Sequence, residues 1–314
     1  MTTNTFYQTM QDGTEINVMR WIPDGEIKGV VQLSHGMSEH SLRYDKMGSI
    51  FAENGWVLSA NDHRGHGKTA QKAESTGSGM FGYLADKDGF NKVTGDLLEV
   101  LLSLKADYPQ KKCFLLGHSF GSIVAQNFME KHGDEIDGVV LCGTTGPRQG
   151  ITSVGKALFG LNALLLGKKH RSPFDANIAF LGYNGRVPKP RSSKFAWLSK
   201  NEFNVQMYEA DQWCGIVPTA EFFCEIVRGL HQVHKAQAMK SIPKDLPVYM
   251  IYGSDDPVGG YGKTIKKLVQ AYKSNGMSDV SEKVWQGDRH EIFNELDGDA
   301  VIADTLQWMA DRAS

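Results

Sequence analysis

The chain has only four cysteines in 314 residues: Cys113, Cys142, Cys214 and Cys224. No C-x-x-C pair occurs, and two of the four lie in apolar, strand-like runs. Buried reduced thiols are expected, which sets aside a disulfide scaffold and a thiolate metal site. An excess of charge is also missing. Thirty-four Lys and Arg face 36 Asp and Glu, a net charge of −2, so no global field draws in nucleic acid or an anionic membrane. No stretch approaches the ~18 apolar residues of a membrane span. Residues Met1 to Met10 are polar and lack the apolar core of a signal peptide. Low-complexity tracts and internal repeats are absent too. A cytoplasmic enzyme fits these absences best. The 41% hydrophobic and 22% charged content is enough to bury one full core and a smaller second unit.

What is present is an alternation of strand and helix signals. Val30 to Leu33 is a short apolar run ending at His35-Gly36. Tyr44 to Glu53 carries helical spacing through Met47, Ile50 and Phe51. Trp56 to Ala60 reads as a strand, with Asp62 to Gly67 as its loop. Asn91 to Lys105 places Val93, Leu97, Val100, Leu101 and Leu104 on one helical face. Strands then follow at Lys112 to Leu116 and at Gly138 to Cys142, with a helix between them from Ser122 to Lys131. The rhythm breaks near Gly146 and resumes at Leu246 to Gly253. A helix at Lys263 to Lys273, a strand at Glu282 to Trp285 and a helix at Asp299 to Ala310 complete it. Such alternation predicts a mostly parallel sheet covered on both faces. The core is assigned to 1–145 and 231–314, and 146–230 to an inserted, mainly helical cap.

Gly117-His118-Ser119-Phe120-Gly121 follows an apolar strand and opens a helix. The G-x-S-x-G pentapeptide is weak by itself, and its strand-to-helix setting gives it weight. A serine forced onto so tight a turn stands clear of the backbone, where a base can reach its hydroxyl. The base and an orienting acid are expected past later strands. Asp256, in Gly253-Ser254-Asp255-Asp256-Pro257-Val258, and His290, in Gly287-Asp288-Arg289-His290-Glu291, meet that condition. Asp255 is the rival acid; the offset of Asp256 from the strand-ending glycine favours Asp256. Oxyanion donors are expected from the amide after the serine, Phe120, and from the loop after the early strand, Met37. His35 is expected to pack beneath that loop.

Several further patterns lead nowhere. Gly77 to Gly82 fits G-x-G-x-x-G, but a polar stretch precedes it and no helix opens on it. Gly67-Lys68-Thr69 and Gly262-Lys263-Thr264 mimic the end of a phosphate loop, yet the required upstream glycine is Asp62 in one and Pro257 in the other. His35, His40, His63 and His66 match no metal-ligand spacing and are expected as structural turn residues.

Taken together, His35-Gly36-Met37-Ser38-Glu39-His40-Ser41-Leu42-Arg43-Tyr44, Asp62-His63-Arg64-Gly65-His66-Gly67, the elbow, Gly-Ser-Asp-Asp-Pro-Val and Arg-His-Glu resemble the monoacylglycerol lipase and lysophospholipase branch of the α/β-hydrolases, the serine aminopeptidase S33-like hydrolases. Tyr208-Glu209-Ala210-Asp211 and Trp213-Cys214-Gly215 resemble that family's cap segment. Phe120 departs from the methionine common after the nucleophile. Its amide still serves, so the departure touches pocket shape rather than catalysis. The resemblance implies an α/β-hydrolase fold and a serine carboxylester hydrolase, needing no cofactor and no metal, that cleaves a monoacyl lipid ester. A small-ester carboxylesterase, a peptidase, a C–C bond hydrolase and a catalytically dead binding protein remain as alternatives. In the cap, the apolar run Ala157 to Leu166 is flanked by Lys156 and by Lys168-Lys169-His170-Arg171. Three roles stand open for it: packing on the core, an acyl-chain entrance through Leu158, Leu161 and Leu165, or transient contact with a membrane or micelle. The sequence sets no oligomeric state.

Overall fold

The computed structural model describes residues 1–148 and 151–313. The strands are β1 (Thr2–Thr9), β2 (Glu15–Ile22), β3 (Gly29–Ser34), β4 (Trp56–Asn61), β5 (Cys113–His118), β6 (Gly138–Cys142), β7 (Val248–Gly253) and β8 (Val280–Trp285). The helices are α1 (Asp45–Glu53), α2 (Gly67–Ser75), α3 (Gly89–Asp107), α4 (Phe120–His132), α5 (Ile151–Leu166), α6 (Pro173–Ala179), α7 (Glu202–Ala210), α8 (Ala220–Val233), α9 (Ala236–Ser241), α10 (Lys263–Ser274) and α11 (Gly298–Ala313).

One sheet holds all eight strands in the order β1-β2-β4-β3-β5-β6-β7-β8. β1 and β2 pair antiparallel, as do β2 and β4; every later pairing is parallel. This is the α/β-hydrolase fold. The central strands are apolar along their whole length because both sheet faces are covered, and period-two geometry divides their side chains. Val30, Val57, Leu115, Val139 and Met250 pack with α3, α4 and α10 on one face. Val31, Leu58, Phe114, Val140 and Ile251 pack with α1 and α11 on the other.

After β3 the chain moves to one neighbour, β4, and after β5 to the opposite neighbour, β6. Adjacent strands whose connections leave in opposite directions open a crevice at their carboxyl ends. The loop carrying Met37 and the turn carrying Ser119 therefore face each other there.

Between β6 and β7 the chain forms α5 to α9, and none of the described residues there adds a strand to the sheet. α8 is buried from two sides. Its Phe222 packs into the main core with the Phe120 ring 5.4 Å away, while Phe223 meets Phe159 of α5 at 5.5 Å. Among the described residues no helix is long and apolar enough to cross a membrane.

Three elements go beyond the sequence reading. β1 and β2 form a hairpin that extends the sheet, and α2 opens directly on the Asp62 loop. β1 is polar and largely exposed, so it carries no hydrophobic signal. α2 has an apolar face too short to reveal a period. Strand ends also shift: β7 starts at Val248 and β8 at Val280.

Candidate active site

Ser119 occupies φ 53°, ψ −118°, a conformation that costs a non-glycine residue of order 1–3 kcal/mol. Local hydrogen bonds hold it there. Its N–H donates to the Cys142 carbonyl at 3.0 Å, and its own carbonyl accepts from the Ser122 N–H and hydroxyl. The two flanking glycines answer to sterics. A Cβ on Gly121 would lie 2.0 Å from the Ser34 carbonyl oxygen, and one on Gly117 would lie 2.5 Å from the Gly121 oxygen. The start of α4 is thus pressed against the end of β3. Phe120 is the first residue of α4, so its N–H is one of the orphan donors of a helix start. Met37, half-buried, follows β3 across the crevice.

Asp256 lies past β7, fully buried, and His290 past β8 is 1% exposed. His290 Nδ1 lies 3.0 and 3.1 Å from the two Asp256 carboxylate oxygens. A carboxylate there must accept, so Nδ1 carries the proton and Nε2 keeps its lone pair. Nε2 is buried with no partner among the described residues. The Val258 N–H also donates to Asp256 Oδ1, at 2.8 Å. Asp255 turns outward instead, 43% exposed and 3.7 Å from Arg186. The His290 ring sits over Gly143, where a Cβ would be 3.0 Å from Cε1. Since Gly143 follows the Cys142 that receives the Ser119 N–H, the ends of β5 and β6 bring the imidazole and the serine turn into one place. Trp197 covers the ring at 5.1 Å, and His118 lies at 4.9 Å. A cavity of about 790 Å³ lies beside the turn that follows Asp256, lined by Tyr183, Pro257 and Tyr261, with neither Ser119 nor His290 in its wall.

The loop after β3 rests on a stack of buried histidines. His35 and His63 rings are 4.1 Å apart, and His66 lies 5.2 Å from His35. The His63 N–H donates to His35 Nε2, so His35 Nδ1–H donates to the Gly36 carbonyl at 2.7 Å. Burial holds His35 well below the usual imidazole range and brings His63 down to about 3. His40 pairs with Asp211 at 2.9 Å. His40, Asp211 and Cys214 offer ligand atoms within 4.8 Å of one another. There, however, the imidazole and the carboxylate already satisfy each other, and burial pushes the Cys214 thiol up, away from the thiolate a metal needs. All four cysteines are free and buried.

A buried charge cluster was not recognised as a unit from sequence. The side chains of Glu39, Glu291 and His118 are 3–5% exposed and that of Arg43 is 9% exposed. Burial alone would raise the Glu39 carboxyl; the His118 hydrogen bond and the Arg43 charge hold it well below the carboxylate range. Burial likewise opposes, and Glu39 overcomes, a raised His118. The i, i+4 spacing of Glu39 and Arg43 was the available signal.

The three cap leucines do not act alike. Leu158 is half-buried against the cluster formed by Phe159, Ala163 and Phe223. Leu161 and Leu165 are exposed, at 54% and 71%.

Residues 25–297 match the family described as Serine aminopeptidase, S33. The chain belongs to that family. It is 26% identical to the monoacylglycerol lipase of Mycolicibacterium smegmatis over 293 residues, 92% of this chain and 90% of that protein. It is also 26% identical to the human monoglyceride lipase over 310 residues, 96% and 89% of the two chains. Among solved structures, a highly thermostable carboxyl esterase from Bacillus coagulans in complex with glycerol superposes with a TM-score of 0.88 at 27% identity, covering 100% of both chains. The family is a hydrolase family with monoglyceride lipase-like members.

Proposed function

We propose that this chain is a serine carboxylester hydrolase that cleaves a monoacyl lipid ester through an acyl-enzyme. The observation that carries the reading is His290: its Nδ1 proton is committed to Asp256, and its Nε2 is left without a partner beside the serine turn. In this reading Nε2 removes the Ser119 proton as the hydroxyl oxygen attacks the ester carbonyl. Asp256 stabilises the imidazolium that forms. The Met37 and Phe120 amides donate to the oxyanion of the tetrahedral intermediate. The proton then passes from Nε2 to the leaving alcohol, and water repeats the sequence to release the acid. No cofactor enters these steps.

The monoacyl lipid preference is supported by relatives named monoacylglycerol and monoglyceride lipases. Residues 146–230 serve in it as a cap. A small-ester carboxylesterase is the second reading, favoured by the likeness to the Bacillus coagulans carboxyl esterase. A turnover panel of p-nitrophenyl esters and monoacylglycerols of rising chain length separates the two. For the chemistry itself, intact mass after a fluorophosphonate is decisive. One adduct is expected on the wild type and none on Ser119→Ala; an adduct that survives the substitution overturns the assignment.

A further inference from the structure

We propose that Arg43 is a positioning residue: it ties the loop carrying the Met37 amide to the loop carrying His290, so that oxyanion donor and base are held as one unit. The inference rests on the Ser119–Asp256–His290 reading above.

Arg43 reaches both loops at once. Its guanidinium donates to Glu39 Oε2 at 2.6 Å, to Glu291 Oε1 at 2.7 Å and to Glu291 Oε2 at 2.8 Å. Glu39 in turn accepts from the Gly36 N–H, the residue before Met37. It also takes the Tyr44 hydroxyl at 2.8 Å and faces His118 Nδ1 at 3.1 Å. Glu291 is the residue after His290, and its own N–H donates to the Leu198 carbonyl at 2.7 Å. From the Met37 side to the His290 side the path is Gly36, Glu39, Arg43, Glu291, and every link is a hydrogen bond to a charged group. Only a planar fork spans such a path, because the bidentate pair with Glu291 fixes orientation as well as distance.

The same guanidinium binds the inserted segment. It donates to Asn204 Oδ1 at 3.3 Å and lies 4.9 Å over the Tyr208 ring. Asn204 donates back to Glu291 at 2.7 Å, and the Tyr208 hydroxyl donates to the Ser38 carbonyl at 3.0 Å. Stability is a poor reason to bury such a group. Taking two carboxylates and a guanidinium out of water costs about as much as their attraction returns, and well-packed apolar replacements are often no worse. What apolar side chains cannot do is set the distance between two loops that meet only across the crevice.

The experiment uses a soluble short-chain p-nitrophenyl ester together with fluorophosphonate labelling. Arg43→Met, Arg43→Lys, Glu291→Gln and the Arg43→Met/Glu291→Gln double variant are compared with the wild type, and folding is followed by thermal melting. Arg43→Met is expected to lose about 100-fold in kcat, the scale of a ~1 Å misplacement. KM should stay near the wild-type value, because the loss falls on the transition state. Lysine should restore little, having charge without the fork. The double variant should be no slower than Arg43→Met alone, since two members of one unit do not add. A folded Arg43→Met with kcat within about threefold of wild type, or losses that add independently in the double variant, overturns the proposal. If Arg43→Met does not fold, Arg43→Lys and Glu291→Gln decide: full kcat in both overturns it, and a selective loss of kcat supports it. The triad reading fails separately, through an adduct that persists in Ser119→Ala.

Discussion

Glu130 lies near the C-terminal end of α4, the helix that Ser119 opens, and it has a measurable signature. The side chain is buried, and its Oε1 has no hydrogen-bond partner among the described residues. Burial raises its carboxyl from 4.5 to about 9, only partly offset by the charge of Lys131. A negative charge at a helix C-terminus is disfavoured in the same direction. Between those two values the folded protein keeps a proton that the unfolded chain releases. Stability therefore falls as pH rises through this window, at up to ~1.4 kcal/mol per unit. At pH 7.5 the window has been crossed by three units, a cost of about 4 kcal/mol, or roughly 2–4 kcal/mol once residual hydration of the carboxyl is allowed for. Glu130→Gln has the same shape and no proton to lose. It should match the wild type near pH 4.5, become more stable as pH rises, and reach its full advantage by about pH 9. Urea unfolding followed by tryptophan fluorescence at several pH values measures the difference. The buried histidines and other titrating groups are common to both proteins and cancel from it. Parallel stability curves for the two proteins, or a wild type that gains relative to the variant with rising pH, would refute the reasoning.

Two other outcomes follow from the site and the insertion. Asp256→Asn should cost on the order of 10⁴ in kcat because the tautomer of His290 is lost. Asp255→Asn removes only an exposed pair with Arg186, worth about 0–1 kcal/mol, and should leave turnover nearly intact; steady-state kinetics on one ester ranks the two, and equal losses contradict the assignment. Polar substitution at Leu161 or Leu165 should slow long-chain esters selectively if the exposed face of α5 admits acyl chains, each methylene contributing roughly 0.8 kcal/mol. Rates measured below the critical micelle concentration test this, and a uniform loss across chain lengths makes α5 a packing element.

The fold was legible because its central strands and amphipathic helices write their burial into the sequence. Val30 to Leu33 and Cys113 to Leu116 are apolar without interruption since both faces of β3 and β5 are covered. β1 was not legible, because in this largely exposed edge strand only Phe6 packs on a core cluster and no alternation shows. Ser119 could be read from local geometry, as its glycines are dictated by atoms within a few residues and by the Ser34 carbonyl beside them. The choice of Asp256 over Asp255 rested on an offset of one residue, which structure turns into a difference between full burial and exposure. The charge cluster around Arg43 was hidden for another reason: beyond the i, i+4 pair with Glu39, its members His118 and Glu291 come from distant positions that no linear spacing connects.

The contacts of residues 196–216 also bear on motion. Arg289 donates to the Ala196 and Ser199 carbonyls at 2.8 and 2.9 Å, and Glu295 collects the Ser199 hydroxyl and the Lys200 N–H at 2.8 and 3.0 Å. At the other end, Ser38 binds Ile216 through its hydroxyl and accepts from the Gly215 N–H. Swinging this segment away would strip His290 of its cover and release the Met37 loop in the same movement. An opening that leaves the chemistry assembled must therefore hinge elsewhere. α5 and α6 lie against α8 through one apolar face and turn Leu161, Leu164, Leu165 and Phe174 to solvent. They take no part in the hydrogen bonds named for Arg43, Ser38, Arg289 and Glu295, so the segment between β6 and β7 falls into a part tied to the Met37 and His290 loops and a part packed on α8.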